Sequence, residues 1–378
     1  MSTTPKRTAL YESHISAGGK MVDFHGFELP IWYSSIQEEH LTTRSSAGVF
    51  DVSHMGLFRF RGDDVRSWLS SVSTQDYLKF QPGTCGYSHF LDHDGNIIDD
   101  MIFSVSSEEE VLGVPNSSMV ETMFGWLSSL LPSDGSVKID DLSDGSSIIA
   151  LQGPKSGEAL SAILGEDNVV GRFRCKEISK NDLGISGWIQ GTGYTGENGF
   201  EIFIDDPSAQ NLWNAIIADS VVSPVGLGAR DTLRLEKGYL LSGQDFLWPE
   251  IGDASDSLPP GFLARTTAET SVPYGLDLSH EFVGKGPLLS SLDSGTRMWG
   301  VKCVERGPSP RPGHSVLDGP GDEANIVGYL TSGGPSPSMG MSGIAIGYLE
   351  GCTEGKEVWI QSSKRRRVRS LVAQPPFL

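Results

Sequence analysis

Cysteine is scarce in this chain, with four in 378 residues, and no two of Cys85, Cys175, Cys303 and Cys352 stand at the spacing of a metal-binding or redox pair. A structural zinc or iron–sulfur site is therefore not expected, no metal is assigned, and the thiols are read as free in a reducing compartment. Basic charge is also short. There are 29 Lys and Arg against 48 Asp and Glu, a formal net charge of -19, so the basic footprint that phosphate binding needs is missing and nucleic acid is not expected as a partner. No apolar run approaches the ~20 residues that cross a bilayer. The opening Met1-Ser2-Thr3-Thr4-Pro5-Lys6-Arg7 leads into polar Tyr11-Glu12-Ser13-His14 without the apolar core of a signal peptide, and a cytoplasmic location is the expectation. Finally, no Gly-rich phosphate loop of standard spacing lies between a strand and a helix, so nucleotide binding has no support.

What is abundant is turn chemistry: 46 Gly and 21 Pro beside 38% hydrophobic residues. That combination favours a β-rich or mixed chain with sizeable cores over a helical bundle, and the length implies two or three domains. Two segments share one design of strand, turn and helix start. Phe58-Arg59-Phe60-Arg61-Gly62-Asp63-Asp64 continues as Val65-Arg66-Ser67-Trp68-Leu69, and Ile148-Ile149-Ala150-Leu151-Gln152-Gly153-Pro154 is followed by helical spacing through Leu164. They read as the openings of two related α+β halves. Between them a strand over 96–105 turns at Glu108-Glu109-Glu110 into a second over 111–114, and Ser117 or Ser118 is expected to cap an amphipathic helix. Residues 188–204 predict a hairpin with a two-residue Asn198-Gly199 tip. A helix is expected from about Gly228 to Lys237, ending at Gly238. Beyond Trp299 short strands broken by Pro and Gly predict an all-β barrel or jelly roll. The basic run Lys364-Arg365-Arg366-Arg367-Val368-Arg369 reads as a solvated hairpin arm after a Ser-Ser turn.

Several residues could carry chemistry. Asp99 and Asp100 interrupt an apolar strand, and because adjacent strand residues face opposite sides, at least one carboxylate must point at whatever the strand packs on. Such a carboxylate is salt-bridged or put to use, and the segment alone leaves both readings open. Glu201 lies just past Asn198-Gly199 and could accept two N–H donors from a planar heterocycle, whereas Glu197 at the turn reads as solvated. Arg230 and Arg234, one helical turn apart, could receive a carboxylate, with pairing to neighbouring Asp or Glu the safer reading. His54 is tempting as a base, but without a cysteine or serine nucleophile in view it reads as a hydrogen-bonded structural histidine.

In order along the chain, Met21-Val22-Asp23-Phe24, Phe50-Asp51-Val52-Ser53-His54-Met55-Gly56, Gly95-Asn96-Ile97-Ile98-Asp99-Asp100, Gly193-Tyr194-Thr195-Gly196-Glu197-Asn198-Gly199-Phe200-Glu201, Gly226-Leu227-Gly228-Ala229-Arg230-Asp231 and Phe282-Val283-Gly284-Lys285 resemble the glycine cleavage T-protein family. The resemblance implies an α+β, three-domain, cloverleaf-like folate-binding fold with a C-terminal β-barrel, divided as 1–145, 146–290 and 291–378. It implies an aminomethyltransferase that passes a one-carbon unit from aminomethylated, lipoylated H-protein to tetrahydrofolate and releases ammonia, working within the glycine cleavage complex. Carried over by motif position, Asp100 would be the catalytic carboxylate, Tyr87, Asn116 and Tyr194 would line the pterin pocket, Glu201 would grip the pterin's amino edge, and Arg230 would support the folate.

The chain departs from the family pattern in two places. Phe246 to Thr270 contains an apparent insertion, Asp253 to Pro260, and the tail ends at Pro375-Pro376-Phe377-Leu378 instead of the aromatic residues that reach the cofactor in some members. The alternatives within the wider family are a folate-dependent demethylase of sarcosine, dimethylglycine or a sulfonium compound, and a non-catalytic folate-binding paralogue. The iron–sulfur-assembly branch is disfavoured, because Lys237-Gly238-Tyr239-Leu240-Leu241-Ser242-Gly243-Gln244 lacks that branch's motif cysteine.

Overall fold

A computed structural model describes residues 4–252 and 257–378. Part of the apparent insertion, 253–256, lies outside the described residues. The chain forms two compact units, one of residues 1–72, 76–88 and 101–231, the other of residues 73–75, 89–100 and 232–378.

The first unit is built on a six-stranded sheet in the order Cys175–Glu177, Trp188–Gln190, Gly199–Asp205, Ser146–Gln152, Ala47–Asp51 and Val222–Pro224. All neighbours are antiparallel except Val222–Pro224, which runs parallel to Ala47–Asp51. Helix Asp206–Ile217 buries Ala209, Leu212, Trp213 and Ile216, the i, i+3, i+4, i+7 pattern that puts them on one stripe. They meet Ile149, Leu151, Phe200, Ile202 and Ile204 of the sheet in one core, each large side chain contributing roughly 1.5–3 kcal/mol by leaving water. Alternation then puts Glu201 and Phe203 on the opposite face of their strand.

A five-stranded sheet, ordered Thr84–Leu91, Ile97–Ser107, Glu110–Pro115, Phe58–Arg61 and Lys138–Asp141, contains the strand carrying Asp99 and Asp100. The repeated strand–turn–helix design is present in both predicted places: Phe58–Arg61 leads to helix Val65–Val72, and Ser146–Gln152 leads to helix Ser156–Leu164. The turn glycines are equivalent. Gly62 has φ 141° and Gly153 φ 128°. A Cβ would lie 1.8 Å from the Ser136 carbonyl oxygen at Gly62 and 2.4 Å from that of Ser46 at Gly153, so only glycine fits either turn.

The second unit ends in a closed six-stranded barrel, Thr296–Cys303, Ser342–Glu350, Ile326–Ser336, Ser315–Leu317, Glu357–Ser363 and Arg366–Ala373. Val301, Val316, Leu330, Ala345, Val358, Ile360, Val368 and Val372 fill it, and closure leaves no edge strand. The basic run forms a hairpin as expected, although the turn falls on Lys364 and Arg365, not on the serines. Arg367 and Arg369 are held by Asp322 at 3.1 Å and Glu357 at 2.5 Å. Among the described residues no helix is long and apolar enough to cross a membrane, and all four cysteines are free thiols.

Three local expectations are corrected. The 188–204 hairpin exists, with Trp188 opposite Phe203 and Gln190 opposite Glu201, but its connection spans 191–198, and Gly196, at φ 77°, is the left-handed residue. The tip is no Asn-Gly two-residue turn, because the Asn198 carbonyl accepts from Gly153 N–H and Gly199 already pairs with Gln152. Neither Ser117 nor Ser118 caps the following helix, which starts at Val120 after a 3-10 turn over Ser117–Met119 without a side-chain cap. Glu197 is not solvated but ion-paired to Arg44 at 2.8 Å.

Candidate functional site

In the first unit, Glu201 sits directly across from Gln190, whose Nε2 donates to Glu201 Oε2 at 3.1 Å. Thr192 Oγ donates to the same oxygen at 2.5 Å. Gln190 is itself fixed, since Ser104 Oγ donates to its Oε1 and lies 3.4 Å from Cys85 Sγ. Both bonds to Glu201 fall on Oε2, so a half-buried carboxylate is oriented by one oxygen while Oε1 takes no donor from the described residues.

Helix Leu227–Lys237 presents Arg230 to the same cluster. Its guanidinium carbon lies 4.8 Å from the centre of the Tyr194 ring, a cation–π distance, and its buried Nη1 has no hydrogen-bond partner among the described residues. Burial pulls the Arg230 pKa down while Glu201 and Tyr194 pull it back, and a guanidinium stays charged under those conditions. The start of this helix is pinned by Glu39, a residue that sequence reasoning passed over. Glu39 is 2% exposed and accepts from Gly226 N–H at 2.8 Å, Tyr33 N–H at 2.6 Å and Ser34 N–H at 2.9 Å. The spacing from 39 to 226 gave no local signal for it.

Arg234, one turn on, serves structure as expected. It lies in the second unit with Asp245 at 2.9 Å and Ser332 Oγ at 2.8 Å. Asp245 also accepts from Leu241 N–H, Thr331 Oγ and Ser332 Oγ, which saturates the buried carboxylate.

Tyr87, on Thr84–Leu91, and Asn116, directly after Glu110–Pro115, are half-buried residues of the first unit. Near Asn116, Gly56 N–H donates to Pro115 O at 3.0 Å, which brings the loop carrying His54 to this strand end. His54 is 5% exposed and packed edge-on by Phe24 at 5.4 Å and Phe27 at 6.5 Å. The expectation of a hydrogen-bonded structural histidine is corrected, because its enclosed Nδ1 has no partner among the described residues. Burial first, and then the charge of Arg230, push its pKa down to about 3, so the ring is neutral at physiological pH.

Asp100 belongs to the second unit. Strand alternation does what the sequence required. Asp99 is fully buried and accepts from Ser242 Oγ at 2.8 Å, while Asp100 faces the other way and is half-buried. Tyr274 lies within electrostatic reach of both Asp100 and Tyr239. Among the described residues no group of three or more His, Cys, Asp or Glu is placed to hold a metal ion.

Residues 10–248 match the family described as the GCVT N-terminal domain, and residues 297–378 match the glycine cleavage T-protein C-terminal barrel domain. The chain is 34% identical to the aminomethyltransferase of Thermotoga maritima over 379 residues, covering 98% of this chain and 97% of that one. It is 34% identical to the aminomethyltransferase of Geobacillus kaustophilus over 382 residues, covering 98% of each. Among solved structures, the glycine cleavage system aminomethyltransferase T from Bartonella henselae superposes with a TM-score of 0.86 at 29% identity, over 99% of this chain and 98% of that one. With both domains matched and relatives alike over nearly their whole length, this chain belongs to the glycine cleavage T-protein family.

Proposed function

We propose that the chain is the aminomethyltransferase of a glycine cleavage system, moving the one-carbon unit of aminomethylated lipoyl H-protein to tetrahydrofolate with release of ammonia. The observation that carries this reading is the half-satisfied polar cluster of the first unit. Glu201 is oriented through Oε2 with Oε1 open, and Arg230 stacks on Tyr194 with Nη1 unpartnered. Buried polar groups are rarely left unpaired, and an acceptor beside a donor over an aromatic face suits a flat heterocycle with N–H and carbonyl groups.

Tetrahydrofolate, when bound, supplies the nitrogens that take up the one-carbon unit. Glu201 would hold it by accepting from its amino edge, a charge-assisted bond. Arg230 would donate from Nη1, while Tyr87, Asn116 and Tyr194 line the pocket. The carboxylate of Asp100 is the proposed catalytic group. It stabilises the positive charge that develops as ammonia departs, and it can accept a proton. Ser242, through Asp99, holds the strand from which Asp100 projects. The same reading takes lipoylated H-protein as partner, the cytoplasm as location, and 1–145, 146–290 and 291–378 as the functional divisions, the first two suggested by the repeated glycine turn.

The deciding experiment follows methylenetetrahydrofolate and ammonia from aminomethylated, lipoylated H-protein, with and without tetrahydrofolate. Release of both products only with folate is the expected result. Folate binding without turnover, on this substrate or on methylated amines, would leave a catalytically dead paralogue.

A further inference from the structure

We propose that His54 is a ligand-binding residue, recognising together with Arg230 the cyclic amide of the pterin ring. The inference rests on the folate reading above and deepens it.

The residue breaks a strong regularity. More than nine in ten buried polar groups find a partner, and each exception calls for a cause. His54 is only 5% exposed, yet its Nδ1 has no partner among the described residues. If the ring served only as packing between Phe24 and Phe27, a phenyl group would do the same without the cost of desolvating Nδ1. A second orphan, Arg230 Nη1, belongs to the same electrostatic neighbourhood, because the charge of Arg230 is felt at His54.

The two orphans define what they can bind. The guanidinium nitrogen only donates, and so requires an acceptor. A neutral imidazole offers one donor and one acceptor. A cationic ligand group is repelled by Arg230, and a plain apolar ring leaves both nitrogens unsatisfied. A carbonyl oxygen bonded to a ring N–H answers both needs, with the oxygen to Arg230 and the N–H to the lone pair of His54. That is the amide of a pterin. Loop geometry supports the placement, since Gly56 N–H is tied to Pro115 O at 3.0 Å and keeps His54 beside the strand end that leads to Asn116.

The test uses the full chain with 13C-labelled histidine, the His54 ring signals being assigned with His54→Gln. It is titrated with 5-formyltetrahydrofolate and, separately, with 6-methyltetrahydropterin, which has no glutamyl tail. His54 signals should move with both ligands. By calorimetry His54→Phe should lose about tenfold in 5-formyltetrahydrofolate affinity, with His54→Gln recovering part of it. Folate binding with stationary His54 signals, and His54→Phe within twofold of the parent, overturns the inference while leaving the function intact. Movement with the folate but not the tail-less pterin overturns the assignment to the ring. No folate binding by the parent chain removes the proposed function itself, and the inference with it. Should His54→Phe fail to fold, the parent's ring signals and the His54→Gln affinity decide.

Discussion

The carboxylates show how far a single residue's role can be read without a fold. Period-2 alternation required that Asp99 and Asp100 face opposite ways, and they do. Which of them was enclosed could not be read, because that depends on Ser242, 143 positions away. Asp100→Asn should retain folate affinity by calorimetry and lose about 10²–10⁴-fold in turnover with lipoylated H-protein. Near-normal rates would remove Asp100 as the catalytic group. Glu201→Gln keeps the shape but turns a charge-assisted acceptor into a neutral one, and should weaken folate binding roughly tenfold. Unchanged affinity would take Glu201 out of the site. His54 and Glu39 were misjudged or missed for one reason, that the partners of a buried polar atom are set by elements distant in sequence.

At the scale of elements, local chemistry was legible wherever one residue type alone fits. Gly62 and Gly153 mark the same turn twice, and Gly238, at φ 73°, ends the helix that carries Arg230. Gly153→Ala should destabilise the chain by about 2 kcal/mol or more in denaturant unfolding, because a left-handed residue gains a Cβ against the Ser46 carbonyl. A loss under 0.5 kcal/mol would show the turn to be pliable. The Asn198-Gly199 signal misled, since a good turn pair was recruited into strand pairing with Gln152 and the true connection became longer. Tertiary pairing overrode a local propensity there. Arg234 and Asp245 are at most 1% exposed, so Asp245→Ala strands a buried cation and should cost about 3–5 kcal/mol. Replacing both partners with leucine should cost less, and a double variant as unstable as the single would contradict that account.

For the whole molecule, acid is the sensitive direction. His54 and His89 are buried and each held down to about 3, both chiefly by burial. An unfolded histidine titrates near 6.5, so between about pH 6.5 and 3 the unfolded chain binds more protons than the folded one. Their contribution is whole above pH 6.5 and is lost as pH falls, at about 1.4 kcal/mol per pH unit for each histidine. Asp51 acts in the same direction lower down. Burial alone would raise its pKa, but His14, Ser53 and Thr8 hold it below the usual value, so its contribution is present above about pH 4 and fades below that. Denaturant unfolding at pH 7, 6 and 5 should show stability falling with a slope that steepens toward two protons near pH 5, and His89→Gln should bring that limit toward one. A flat profile would mean that these rings charge without unfolding.

The sequence by itself determined the mixed class, the barrel at the C-terminal end, the two glycine turns, the Gly238 end of the helix that carries Arg230, and the family. Each of these depends on local steric rules, on periodicity, or on an ordered set of motifs. Only the tertiary structure decided that Glu201 is tied through one oxygen, that Arg230 lies over Tyr194 while Arg234 is consumed by Asp245, and that His54 is enclosed without a partner. Those outcomes depend on which atoms from remote segments come within about 3 Å, the range over which a hydrogen bond forms. Chain spacing carries no record of that distance.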